Sequence, residues 1–226
     1  MTDYASDITI VAPRVGSAFA GPARPGRGGA APPSGRIGPN AIIRLAEAMD
    51  ALHGHTATRE LFVAAGLARY LDDPPGAMVD ETEVVTLHGA GRSQLGPAAF
   101  ATVARLAGQL TGDYVLRHRI PRPAQLLLRL LPGFLASRVL VRAIAAHAWT
   151  FVGSGGFSYR PRYRGVLLII RDSPLARGEQ STVPLCDFYT ATFERIFRHL
   201  VSRKTVVNEI GCIATGAGAC CFDVRF

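Results

Sequence analysis

The chain has 226 residues, 48% of them hydrophobic and 19% charged, with four cysteines and a formal net charge of +8. That is enough for one domain of ordinary size with a sizeable core, plus a tail, and four cysteines are too few for a disulfide scaffold. The positive charge is unevenly spread, and its distribution says more about partners than its total.

Met1–Ile10 carries Asp3 and Asp7 and lacks the long apolar stretch of a secretory signal, so the expected location is cytoplasmic. In that reducing compartment grouped cysteines suggest metal sooner than disulfide. Residues 12–39 are rich in Pro, Gly and Ala with scattered Arg, a composition that cannot bury enough apolar surface to order itself. The expectation is a flexible tail over 1–39 and a single folded domain over 40–226. Ala41–Leu52 sets Ile42, Leu45, Ala46 and Met49 at helical spacing, which His53-Gly54-His55 breaks. Thr58 is read as the cap of a second helix to about Tyr70, ended by Asp72-Asp73-Pro74-Pro75-Gly76. Glu81–His88 reads equally as a short helix or a strand. Pro97 opens a helix to about Arg117, and Pro123 opens another, kinked at Pro132-Gly133 and reaching about Ala148.

Beyond that point Trp149–Tyr159 and Gly165–Arg171 read as strands. Pro184–Val201 returns to helical spacing through Leu185, Phe188, Phe193, Phe197 and Leu200. Lys204–Ile210 and Ala219–Phe226 read as two strands joined by the turn Thr215-Gly216-Ala217-Gly218. Helices first, then strands with one helix inserted, describe an α+β domain whose antiparallel sheet is covered by helices.

No acidic residue lies between Asp113 and Asp172, an interval that holds arginines 117, 119, 122, 129, 138, 142, 160, 162, 164 and 171. Such a block favours an anionic partner. No reading helix, zinc finger or aromatic-rich RNA-binding motif accompanies it, so no nucleic-acid partner is expected. Leu126–Ala148 is interrupted by Arg129, Pro132, Arg138 and Arg142, which argues against a membrane span and leaves peripheral membrane contact open.

Near the C-terminus Glu209 and Cys212 stand three apart, and Cys220 lies eight beyond Cys212. A hairpin returning across the glycine-rich turn brings these together. Cys186 sits at the start of the preceding helix, where the dipole favours thiolate. Thiolates and a carboxylate suit a tetrahedral metal site; the alternative is a set of ordinary buried thiols. Cys221 is the surplus cysteine, because successive strand residues point to opposite faces.

The stretch Asn208-Glu209-Ile210-Gly211-Cys212-Ile213-Ala214-Thr215-Gly216-Ala217-Gly218-Ala219-Cys220-Cys221-Phe222 resembles the closing signature of the 4-vinyl reductase domain family. The resemblance extends by architecture over the region from position 40, and by specific motif over roughly the last forty residues. It implies a vesicle-tethering-subunit-like ligand-binding domain with a structural zinc ion (Zn2+) held by Cys186, Glu209, Cys212 and Cys220. Within the family the chain is most similar to a stand-alone member from bacteriochlorophyll biosynthesis. The family name implies reduction of a vinyl group on a chlorophyll precursor.

That reduction needs an electron source, and no strand–GxGxxG–helix unit stands here; Gly153-Ser154-Gly155-Gly156 opens no helix. A closed, redox-inert metal leaves no visible donor, so binding or delivery of a Mg-tetrapyrrole such as a divinyl protochlorophyllide is the preferred expectation. The alternatives are a reductase using an external donor, and a sensor or adaptor for a small aromatic or lipid ligand. Other pigment-biosynthesis enzymes and a second copy of the chain are the protein partners considered. Phe134, Trp149, Phe151, Phe157 and Tyr159 offer apolar surface, His118 and His147 axial donors, and Arg160, Arg162 and Arg164 a carboxylate site. Each has a plainer reading: a hydrogen-bonded core histidine, core aromatics, a solvated arginine loop.

Overall fold

The structure, a computed structural model, describes residues 35–226. Most of the expected tail therefore lies outside the described residues. Its last part does not: Arg36–Ile37 form strand β1, paired antiparallel with β2, Val79–Asp80.

Helix α1, Asn40–Ala64, is interrupted at Gly54, whose φ of +81° and ψ of 169° suit glycine alone. Its second half begins directly after this break, several residues before Thr58. Thr58 is thus inside the helix, its hydroxyl donating back to the Gly54 carbonyl at 3.0 Å instead of capping. A short helix α2, Arg69–Asp72, follows. The ambiguous segment is helical: α3, Glu81–Leu95, is capped by Asp80, whose carboxylate accepts the Thr82 N–H at 2.8 Å. Helix α4, Pro97–His118, has its proline in the first turn as expected.

Instead of one kinked helix, two follow: α5, Arg122–Leu130, and α6, Gly133–Ala146. Leu131 is extended at ψ 149° and so is Pro132 at ψ 140°, because a proline disfavours helical backbone at the residue before it. Trp149–Tyr159 is not one strand either. Trp149–Val152 form a helical turn, α7, and strand β3, Gly156–Arg162, starts only after the glycines. The cause is tertiary. The Glu81 carboxylate accepts the Ser154 N–H at 2.8 Å, the Ser154 hydroxyl at 2.6 Å and the Gly35 N–H at 3.2 Å, and pairs with Arg177 at 2.9 Å. A Cβ on Gly153 (φ +58°) would lie 2.0 Å from that carboxylate. The glycine cluster is therefore the receptor of a buried carboxylate. Burial alone would raise the Glu81 carboxyl, but the Ser154 and Arg177 hydrogen bonds hold it below the usual range.

Strand β4, Gly165–Arg171, is as expected, and helix α8 runs over Asp187–Leu200. Strand β5, Val206–Gly211, a single 3-10 turn at Ile213–Thr215 and strand β6, Cys220–Arg225, complete the chain. The main sheet is antiparallel in the order β3-β4-β6-β5. Its inner face presents Leu168, Ile170, Phe222 and Val224, all buried. Phe222 meets Tyr189 and Phe193 of α8 edge-on, and Phe151 joins the same aromatic cluster. Helix α8 in turn lies on α4, and α4 on α1. The α4–α8 approach is close enough that a Cβ on Gly108 would lie 2.3 Å from the Phe188 carbonyl. The result is an α+β domain with its helices stacked on one face of an antiparallel sheet.

Candidate functional site

Four side chains from three places converge at one end of the sheet. Cys186 is the N-cap residue of α8, Glu209 lies in β5, Cys212 just beyond it, and Cys220 opens β6. Their ligand atoms all lie within 4.8 Å of one another. The Cys186 and Cys220 sulfurs are 3.4 Å apart, and those of Cys220 and Cys212 3.7 Å. Tetrahedral corners with metal–sulfur bonds of about 2.3 Å lie about 3.8 Å apart, so the three sulfurs already stand near the spacing a single ion imposes.

A spacing of three would ordinarily turn Glu209 and Cys212 to opposite faces of a strand. The pairing of β5 with β6 shifts register between Glu209 and Gly211, with Ile210 bulged out to solvent. One extra residue restores the two side chains to one side. Cys221 pairs opposite Ile169, on the other face from Cys220, near Arg160, Arg162 and Arg171.

The Glu209 carboxylate accepts the Cys186 N–H at 2.8 Å through Oε2, while its Oε1 is buried with no hydrogen-bond partner. Burial first, then the neighbouring Cys212 sulfur, pushes this carboxyl up to about 8. The Cys186 thiol is raised well above its ordinary value by hydrogen bonding to Cys212 and Cys220 and by burial, whereas those hydrogen bonds hold Cys212 down. Acidic groups crowded in this way repel one another when ionised, and a divalent cation at their centre removes the conflict. Three sulfurs, one orphaned carboxylate oxygen and near-tetrahedral spacing fit a metal ion. Ser173, fully buried, stands 3.6 Å from the Cys186 sulfur; nothing in the sequence pattern marks it.

A cavity of about 830 Å³ opens at the opposite end of the sheet. Phe134, Ser137, Arg138 and Val141 of α6 form one wall, the β3–β4 turn from Pro161 to Val166 another, and Val201, Ser202 and Phe226 close it. Strand β6 runs from the metal cluster at Cys220 to this cavity. Five residue steps of about 3.4 Å separate the two by about 17 Å, so they are separate sites.

The structure does not gather the pocket residues suggested by the sequence. Arg162 and Arg164 line the cavity, as does Phe134. Arg162 also pairs with the buried Asp223 at 2.7 Å, while Arg138 and Arg164 have no ion pair among the described residues. Arg160 is exposed on the outer sheet face, beside Cys221. His118 is exposed at the end of α4 against the Tyr114 ring. His147 is exposed at the end of α6, bonded through Nδ1 to the Ala143 carbonyl, and Trp149 is exposed nearby in sequence. Phe151 belongs to the core, where its carbonyl accepts the Tyr189 hydroxyl at 2.6 Å, and Phe157 and Tyr159 pack there too. No histidine among the described residues lines the cavity. Arg138, Val141, Val166, Val201 and Phe226 carry no sequence signal for a pocket, since helices, a turn and the terminus come together there only in three dimensions.

Residues 167–226 match the 4-vinyl reductase domain family. The chain is 44% identical over 192 residues to the bacteriochlorophyll synthase 23 kDa chain of Cereibacter sphaeroides, covering 84% of this chain and 90% of that one. It is 39% identical over 187 residues to the protein of the same name from Rhodobacter capsulatus, covering 83% and 85%. Among solved structures, the Fe(II) unliganded H-NOX protein from K. algicida matches with a TM-score of 0.53 at 10% identity, over 84% of this chain and 96% of that chain. A mutant of that protein matches with a TM-score of 0.52 at 9% identity and the same coverage. These are likenesses of fold, and they are to H-NOX domains, not to the vesicle-tethering subunits that the family resemblance implies.

Proposed function

This chain belongs to the family of the bacteriochlorophyll synthase 23 kDa chains and carries a 4-vinyl reductase domain, and from that membership we propose that it binds and delivers a tetrapyrrole precursor of bacteriochlorophyll. The observation that carries this reading is the cavity of about 830 Å³, within the range of small-molecule sites. Phe134, Val141, Val166, Val201 and Phe226 offer it apolar wall, and Arg138 and Arg164 offer cations at its rim for a pigment carboxylate. Expulsion of water from the apolar wall supplies affinity, and the arginines set orientation. His118 and His147 lie away from this cavity, so no axial histidine is part of the proposal.

The metal cluster has a different part in this reading. Cys186, Glu209, Cys212 and Cys220 would hold a zinc ion, which supplies a cross-link between the start of α8 and the β5–β6 hairpin. Four protein ligands leave no open position for water or substrate, so the role is structural.

The test is titration of the purified chain with a divinyl protochlorophyllide-type pigment. A shifted, saturable absorbance band at micromolar pigment is expected. Absence of any shift would sink the proposal. The same mixture supplied with reduced nicotinamide or ferredoxin should keep its divinyl spectrum; turnover would replace delivery with reduction.

A further inference from the structure

The two helices α5 and α6 leave an unusual surface uncovered. In α5 Leu128 alone is buried, while Leu126, Leu127 and Leu130 are 60%, 59% and 75% exposed. In α6 the buried side is Ala136, Ser137, Leu140 and Val141, and Leu135 and Val139 face outward. Isolated exposed leucines are common on protein surfaces, but a run of them along two adjoining helices marks a contact site.

The charge around this surface is of one sign. Arg122, Arg138 and Arg142 are exposed on the same two helices, and no acidic residue occurs from 114 to 171. Arg129 is the exception in orientation, donating through Nε to the His199 carbonyl at 3.2 Å and so fastening α5 to α8. No helix among the described residues is long and apolar enough to cross a membrane. Short amphipathic helices with an apolar outer face and flanking arginines instead suit the plane of the lipid interface, where apolar groups enter the acyl boundary and cations meet headgroups.

We propose that α5 and α6 dock this chain on a bilayer containing anionic lipid. Charge complementarity selects that occupant: an arginine-only rim matches anionic headgroups, whereas a protein partner or a second copy of this basic face would have to supply the missing carboxylates. Phe134 and Arg138 belong both to α6 and to the cavity, so docking brings the cavity mouth to the lipid. That last consequence rests on the pigment reading; the docking itself does not.

The experiment is flotation of the full chain with vesicles of phosphatidylcholine alone or mixed with phosphatidylglycerol. The chain should float with the mixed vesicles, less in high salt, and only weakly with phosphatidylcholine. Leu127→Glu with Leu130→Glu, both exposed and therefore compatible with the fold, should abolish flotation while leaving the circular dichroism spectrum unchanged. Arg122→Gln with Arg142→Gln should weaken binding to the mixed vesicles by about tenfold. No flotation of the wild type, or flotation indifferent to the leucine substitutions, overturns the proposal. A dimer dissolved by the leucine substitutions, with no flotation of the wild type, assigns the face to a second copy and overturns it equally. Pigment titration of the same proteins separates the two readings: flotation without pigment binding sinks only the pigment role.

Discussion

At Glu209 one carboxylate oxygen accepts the Cys186 N–H and the other faces three sulfurs with no hydrogen donor. A buried acceptor left without a partner costs about 1–3 kcal/mol, and a cation among the sulfurs turns that cost into a bond. Metal analysis of the purified chain should therefore find one zinc per chain. Cys212→Ser should lose it and lower stability by about 3 kcal/mol, or about 6–12 °C in Tm for a domain of this size. A strong chelator should reproduce that drop in the wild type and leave the variant unmoved. His88 is a second residue-scale case. It is buried edge-on against Phe100 and Phe188, its Nε2 has no partner, and burial followed by the Arg92 charge lowers its pKa to about 3. Unfolded, the ring takes a proton near pH 6.5; folded, it does not until about pH 3. Protonation then favours the unfolded chain between these values, so stability is full above pH 6.5 and falls as the pH drops toward 3. Denaturation profiles should show this slope, at most about 1.4 kcal/mol per pH unit, flattened in His88→Phe.

At the scale of elements, the breaks matter as much as the helices. Gly54 sits in open space, with nothing within 4 Å of where a Cβ would go, so only its φ of +81° requires glycine. Gly54→Ala should cost about 1–3 kcal/mol through backbone strain alone, read as a lowered urea midpoint with an unchanged m-value. The Leu131-Pro132 break works differently. It frees α6 to turn relative to α5 and to line the cavity with Phe134, Arg138 and Val141. The β5 bulge at Ile210 likewise exists for a site, since without it Glu209 and Cys212 could not share an ion.

For the whole molecule, the decisive feature is that strand β6 carries the metal-ligand candidate Cys220 at one end and approaches the cavity at the other. Clasp and pocket are thereby separable. Arg138→Ala with Arg164→Ala should weaken pigment binding by about tenfold or more while leaving zinc content and Tm near wild type, because both side chains are exposed. Loss of pigment binding together with loss of metal in this variant would contradict the separation.

The helix-then-strand order, the proline starts, strand β4 and the four grouped metal-ligand candidates were legible in the residue pattern. Periodicity, proline chemistry and close spacing act over a few neighbours, and a single chain displays them directly. The tertiary structure alone decided the rest. It turned Trp149–Val152 into a helical turn because Glu81, distant in sequence, occupies the space beside Gly153. It dispersed His118, His147, Trp149 and Phe151 and gathered Arg138, Val201 and Phe226 with Arg164 instead. Such a cavity is a gap between elements, and where the gap falls depends on how far apart packing holds them.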